Sequence, residues 1–600
     1  MVTTRMSFVF AITTIVASAM QMAVADDTKP EADKVVKKKV ARLRLKGSFP
    51  ESPAAIGIFG ELEQNLRGMI ARLDRAAKDD SISAVVLRIQ NTSVGRGKLA
   101  ELRAAIARTQ ESGKKIIAEL NSASTADYLL ACACDEIIMP KSGVIMMPGV
   151  RAEVTFFGGL FEKLGIEADM LQVGDFKGAA EPFTRKSMSK EFRQQYTMLI
   201  DDFYNQMIST IATDRKLAED KVKELIDVGL LSTQDAKKHG LVDVVAYADE
   251  TEAYLKEHLK ADEIDLLADY GKKKIDTNFS GPLGFMKLFE LMMGGSSGSR
   301  GSKNKKIALV YAIGPIMTGS STASLFGGET MGSDTIVKAL RKAGDDDTVV
   351  AIVLRVDSPG GSALASDLIW REITRMEKPV VASMGDMAAS GGYYISMGCD
   401  IIFAEAGTIT GSIGVVGGKI VMSGLFEKAG IATDVISRGK NSGLLSGDAK
   451  FSDSEREVWK KMMEDTYLEF TQKAADGRKM KLADLEKHAG GRIWSGQRAQ
   501  KVGLVDKVGT LRDAILEAKK LAGLGDEDKA EIMVLPKPVN VFDQLLGISA
   551  MAPKIIAPKI RTELGRVSKD AAKLLGQAQM IEQWFAEPSV LVMPYNVEIK

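Results

Sequence analysis

Six hundred residues exceed what a single hydrophobic core organises, which implies two large domains or roughly three to four ordinary ones. The 80 basic and 79 acidic side chains leave a net charge of +1, which excludes the basic footprint of a nucleic-acid binder. Three cysteines (Cys132, Cys134 and Cys399) cannot form a disulfide framework, and neither they nor His239, His258 and His488 are spaced as metal ligands.

The chain opens as a targeting segment. Arg5 precedes an apolar run from Phe8 to Ala19, and Ala23-Val24-Ala25 stands directly before Asp26-Asp27. This is the layout of a secretory signal. Residues 1–25 are read as a signal peptide or a membrane anchor, both readings staying open, and the body as exported. Residues 26–38, charged and poor in apolar side chains, read as a tether.

Beyond it one pattern occurs twice. Lys39 to Leu43 resembles Lys306 to Val310 and Ala84 to Ile89 resembles Ala351 to Val356, both at a shift of 267. Lys114 to Ala118 resembles Lys378 to Ala382 at 264; Cys134 to Ile138 and Gly159 to Lys163 recur at 265; Gly240 to Asp243 recurs at 263. Short Val- and Ile-rich runs read as buried parallel strands, with the cysteines as small apolar residues in them. Leu99 to Thr109 and Ser366 to Arg375 read as helices between strands. The fold class is therefore α/β, a tandem duplication of one βαβ-type unit over residues 39–294 and 306–548. The Gly/Ser-rich stretch 295–305 reads as a linker. An apolar helix over Phe285 to Met293 precedes it, and the tail 549–600, with a helical stretch from Glu563 to Trp584, reads as a strap or an oligomer contact.

Where the halves differ, chemistry appears. The second half carries Pro359-Gly360-Gly361 after a strand, and Ala388-Ala389-Ser390-Gly391-Gly392 at a helix start. Glycines there let backbone N–H groups approach a ligand, which suits an oxyanion hole. The first half has Ser124-Thr125-Ala126-Asp127 instead, with Ser124 and Thr125 both open as the counterpart of Ser390. Asp127 would put negative charge where an oxyanion must form. The histidines lie in Lys- and Glu-rich stretches away from any such turn, so the hydroxyl needs another base. Lys177 is the candidate, because burial can lower a lysine pKa. At a shift of 265 it faces Ser442, so Lys177 and Ser390 each occur in the half that lacks the other. A helix-capping serine and a surface lysine are the ordinary readings of the same residues.

These residues, with Ser358 to Ser362, Thr410-Gly411-Ser412-Ile413-Gly414, Gly491 to Gly496 and Gly503-Leu504-Val505-Asp506, resemble the bacterial signal peptide peptidase (SppA) family in its long, two-repeat protease IV form. The resemblance covers roughly residues 39–548. It implies a Clp protease/crotonase-type α/β unit, Ser390 as nucleophile, Lys177 as general base, Ser412 holding that base, and N–H groups near Gly361 and Gly391 as the oxyanion hole. It implies no metal and no other cofactor. The implied substrates are cleaved signal peptides and other unfolded segments. The implied setting is a homotetramer, membrane-associated, in the periplasmic space or on the periplasmic face of the inner membrane. Asp386 departs from the glycine usual in the long form, and the N-terminus looks more cleavable than the usual anchor. Three rivals share features: an inactive peptide-binding scaffold of the same fold, a crotonase-type acyl-CoA enzyme, and a β-lactamase-type site at Ser187 to Lys190, which fits S-x-x-K but lacks a Lys-Thr-Gly partner.

Overall fold

The computed structural model describes residues 35–52, 64–272, 304–323, 329–536, 590–593 and 597–599. The expected leader, the linker up to residue 303, the apolar stretch 285–293 and the tail helix 563–584 lie outside the described residues.

Each half builds a parallel sheet whose apolar strands are buried on both faces, as their near-continuous Val, Ile and Leu content requires. In the first, the spatial order is Glu263–Leu267, Lys37–Gly47, Ile82–Thr92, Lys115–Leu120, Glu136–Met139 and Val244–Val245. Lys37 and Lys38, expected in the tether, already belong to the first strand because they pair with Glu263 and Ile264. The second half repeats that order: Glu531–Leu535, Lys306–Ile313, Val349–Ser358, Val380–Ala389, Ile401–Ala404 and Lys507–Val508. Even the irregularity is shared, with a register shift at Lys39/Val40 and at Lys306/Ile307.

The duplication extends to buried polar contacts. The Asp135 carboxylate accepts from Ile116 N at 2.7 Å, and Asp400 accepts from Val380 N at 2.8 Å. Tyr128 donates its hydroxyl to Leu241 O at 2.9 Å, and Tyr393 to Leu504 O at 3.0 Å. Each aspartate satisfies a strand-edge N–H that burial would otherwise leave unpaired. The cysteines are buried, but in the turns that lead from helix to strand, because the helices Thr125–Ala131 and Gly391–Ser396 end just before them.

A third, mixed sheet joins the halves. It runs Thr322–Ala323, Glu329–Gly332, Ile316–Met317, Gly360–Ser362, Val590–Val592, Val415–Val421 and Glu167–Val173. Its last pairing is between repeats: seven residues of Glu167–Val173 lie antiparallel to Val415–Val421. The strand Val590–Val592, from the tail expected to be a strap or oligomer contact, is an interior member of this sheet.

Ion pairs lock the repeats elsewhere. Arg355, fully buried on a second-repeat strand, meets Glu51 through two bonds of 3.0 and 2.9 Å and Glu101 at 3.1 Å, both from the first repeat. Lys98 of the first repeat bridges Asp357 at 3.5 Å and Asp386 at 3.3 Å. Asp386 also accepts from Lys98 N at 3.1 Å, so this departure from glycine is an inter-repeat clamp. Removing one partner of a buried ion pair leaves charge stranded out of water. Arg355→Ala is therefore expected to lower unfolding stability by about 3–5 kcal/mol, read by denaturant titration.

Candidate active site

Ser390 stands between the strand Val380–Ala389 and the short helix Gly391–Ser396. Its backbone is at φ 56°, ψ −113°, a region that side chains other than glycine rarely adopt and that costs on the order of 1–3 kcal/mol. Ser390 N donates to Gly411 O at 2.8 Å, and Tyr394 N donates to Ser390 O at 2.8 Å, holding the turn from both sides. Ser390 is the helix N-cap, yet its side chain makes no capping bond, so Oγ is free for other work. Small neighbours are obligatory here: a side-chain carbon on Gly392 would stand 2.7 Å from Ser358 O, and one on Gly391 2.7 Å from Ser366 Oγ.

The first repeat closes the same place. Ser124 is a true cap, in a reciprocal capping box with Asp127. The Tyr128/Tyr393 equivalence places Thr125 opposite Ser390, while the capping role falls to Ser124. The buried Asp127 carboxylate also accepts from Thr92 N at 2.9 Å and Thr92 Oγ1 at 2.7 Å.

Lys177 reaches the site from the other repeat. The strand Glu167–Val173, paired to Val415–Val421, delivers the following loop onto Gly490 and Gly491. Phe176 N donates to Gly490 O at 2.9 Å. Gln195 ties both sides, donating to Phe176 O at 3.0 Å and accepting from Ile493 N at 3.2 Å. Gly491, at φ +84°, admits the loop because a side-chain carbon there would lie 2.4 Å from Lys177 N. Ser442, the positional counterpart of Lys177, plays no equivalent part: residues 431–438 form no strand and are exposed.

The outcome is a contact within one chain. Lys177 Nζ lies 2.6 Å from Ser390 Oγ, 2.8 Å from Ser412 O and 3.0 Å from Ser412 Oγ. Lys177, Ser390 and Ser412 are each 0% exposed, and no carboxylate pairs with Lys177 among the described residues. Burial holds the Lys177 amine well below the usual lysine range. Beside them, a side-chain carbon at Gly391 would be 3.2 Å from Gly361 N, so the two glycine backbones named from the sequence are adjacent. Ser187 and Lys190 are exposed at the start of the helix Lys190–Arg215, outside this cluster. The sequence reading missed Gln195 and the tail strand Val590–Val592. Gln195 carries no local signal; the tail strand's short continuous apolar run did, but without a partner in sequence.

An enclosed hydroxyl beside a desolvated amine, set in a duplicated α/β scaffold, is the equipment of a serine peptidase. The chain belongs to peptidase family S49, which matches residues 108–262 and 372–525, one stretch in each repeat. Over 480 residues it is 35% identical to "Serine protease SPPA, chloroplastic" of Arabidopsis thaliana, covering 79% of this chain and 68% of that protein. It is 30% identical to "Protease 4" of Haemophilus influenzae over 463 residues, 76% of this chain and 72% of that one. It is also 30% identical to "Protease 4" of Salmonella typhi over 513 residues, 82% and 78% respectively. The protein is a serine peptidase of the SppA and Protease 4 kind.

A lysine whose folded pKa is depressed gains a proton on unfolding, so it weakens the folded state below its ordinary pKa. Lys177→Met should therefore raise stability at neutral pH. The gain should be fully present below the depressed folded pKa of Lys177 and fade as pH rises towards 10.5, measured by denaturant titration across pH.

Proposed function

We propose that Ser390 is the nucleophile and Lys177 the general base of an endopeptidase acting on extended peptides. The observation that carries this reading is the 2.6 Å approach of a fully buried amine to the hydroxyl of the other repeat. Neutral Lys177 takes the Ser390 proton as Oγ attacks the peptide carbonyl, then returns it to the leaving amine; water releases the acyl group. Ser412 orients the amine through its carbonyl and hydroxyl. The N–H groups of Gly361 and Gly391 receive the oxyanion, in a site dry enough to strengthen each bond. No cofactor enters these steps.

Cleaved signal peptides and other unfolded segments are the substrates this reading favours, met after export, in the periplasmic space or on the periplasmic face of the inner membrane. The leader-like residues 1–25 support export. Among the described residues no helix is long and apolar enough to cross a membrane.

The assembly we favour is a homotetramer. By the 265-residue shift, residues 432–438 are the second repeat's counterpart of the strand Glu167–Val173, yet they form no strand, and Ile436 is 92% exposed. The first repeat's counterpart of Val415–Val421 includes Ala152–Val154, which pairs with Val597–Ile599 and, among the described residues, with no second-repeat strand. An arm with no seat and a seat with no arm fit a head-to-tail ring of copies. Light scattering of the full chain should give four protomers, and Ile436→Asp should shift the mass toward the monomer.

Hydrolysis of a fluorogenic peptide with leucine before the scissile bond tests the chemistry. Ser390→Ala and Lys177→Ala should each lower kcat by at least about 10³-fold with the fold retained. The wild-type kcat/KM should rise with pH through a pKa below the lysine range. Full activity in Lys177→Ala would remove the proposed base, and no cleavage of any peptide by the wild type would favour a binding scaffold.

A further inference from the structure

The lysine and the residue that receives its amine are joined at the foot as well as at the head. Lys177 is the central residue of an inverse γ-turn, with φ −78° and ψ 63°, and Gly178 N donates across it to Phe176 O at 2.9 Å. That carbonyl has a second lone pair, and Gln195 Nε2 donates to it at 3.0 Å. Gln195 Oε1 accepts from Ile493 N at 3.2 Å. The same peptide unit carries Arg492 O, which accepts from Ser412 N at 2.6 Å. Ser412 in turn receives Lys177 Nζ through its carbonyl and hydroxyl. These bonds close a ring. In it one side-chain amide spans from the base's own peptide unit to the unit that holds Ser412.

The helix Lys190–Arg215 supplies this amide as part of a splint. At its start Ser189 N donates to Glu181, beyond the lysine turn, at 2.8 Å. Phe192 lies so close to the turn that a side-chain carbon on Gly178 would stand 2.0 Å from its ring. Further along, Asp202 accepts from Ser495 Oγ at 2.7 Å and from Arg498 Nε at 2.6 Å, both in the second repeat. The duplicate offers a control. The caps Ser189 and Ser452 align this helix with Asp453–Gly477 at a shift of 263, which sets Arg193 opposite Arg456 and buried Tyr196 opposite buried Trp459. Gln195, 2% exposed and spent on both bonds, then falls opposite Val458, which is 47% exposed and has no polar group to offer. The repeat without the lysine is also without the glutamine, and a residue that merely packed the helix would have no reason to follow the base.

We infer that Gln195 is the positioning residue of the general base, holding the Lys177 turn where its amine stays dry and within reach of Ser390 Oγ. The inference rests on the assignment of Lys177 as base. Both ends of the amide are used, one as donor and one as acceptor, so no other side chain of similar size repeats its work. Methionine would leave Ile493 N without its acceptor and Phe176 O without its second donor, and buried groups so stripped draw water to the foot of the lysine. Glutamate would keep the bond from Ile493 N, but it would face Phe176 O with a second acceptor and set a negative charge beside the turn. Water and negative charge both favour the ammonium form of Lys177, which cannot take a proton.

Hydrolysis of the fluorogenic peptide by the full chain across pH, with Lys177→Ala measured alongside, tests the role. Gln195→Met should lower kcat at neutral pH by about 10²-fold with KM nearly unchanged. Its kcat/KM profile should rise at higher pH than the wild type's, so that the loss shrinks towards alkaline pH. Gln195→Glu should move the profile in the same direction. It keeps the size and one of the two bonds, and it decides the matter if the methionine variant does not fold. A glutamine with a structural role alone would lower the melting temperature and leave the midpoint of the pH profile in place. That result in a folded variant overturns the inference while the dyad stands. Full activity in Lys177→Ala removes the base itself, and the positioning role with it.

Discussion

The site depends on one antiparallel pairing, that of Glu167–Val173 with Val415–Val421. A lysine amine can act as a base only if it is desolvated, and it can be desolvated usefully only beside the hydroxyl it serves. The chain carries Lys177, fully buried, in the loop after a strand that one repeat lends to the other, 2.6 Å from Ser390 Oγ. The glycines at 490 and 491 accept the loop, and Gln195 fastens it. Ion pairs around Arg355 and Lys98 then keep the repeats from sliding apart.

Divergence of the duplicate explains why one site exists where two might have formed. In the first repeat, Asp127 fills the helix start with a carboxylate that already accepts from Ser124 and Thr92. Charge there opposes an oxyanion, and the serine is spent as a cap. In the second repeat the cap position has lost its capping bond and gained a strained backbone. The strain is tolerated because two backbone bonds and glycine neighbours hold the turn. The result is a hydroxyl with nothing to do except meet Lys177.

Enclosure has a consequence for access. Three side chains of the site have no exposed surface, and the third sheet, including the strand Val590–Val592, closes over them. Desolvation of the lysine and exclusion of bulk water are thus the work of the same elements.

The sequence alone carried the duplication, the α/β class and the complementary placement of Ser390 and Lys177. Strand periodicity and repeat spacing are local signals, and a duplicated chain serves as its own comparison. Leu99 to Thr109 lies within the helix Arg96–Glu111 for the same reason. Tertiary structure decided what depends on residues far apart in sequence. It put Asp386 into a clamp with Lys98, made Gly491 the seat of the lysine loop, and drew Val590–Val592 into the sheet beside Gly361. Those contacts each span more than two hundred positions, and their partners become neighbours only in the folded chain, so no local pattern could announce them.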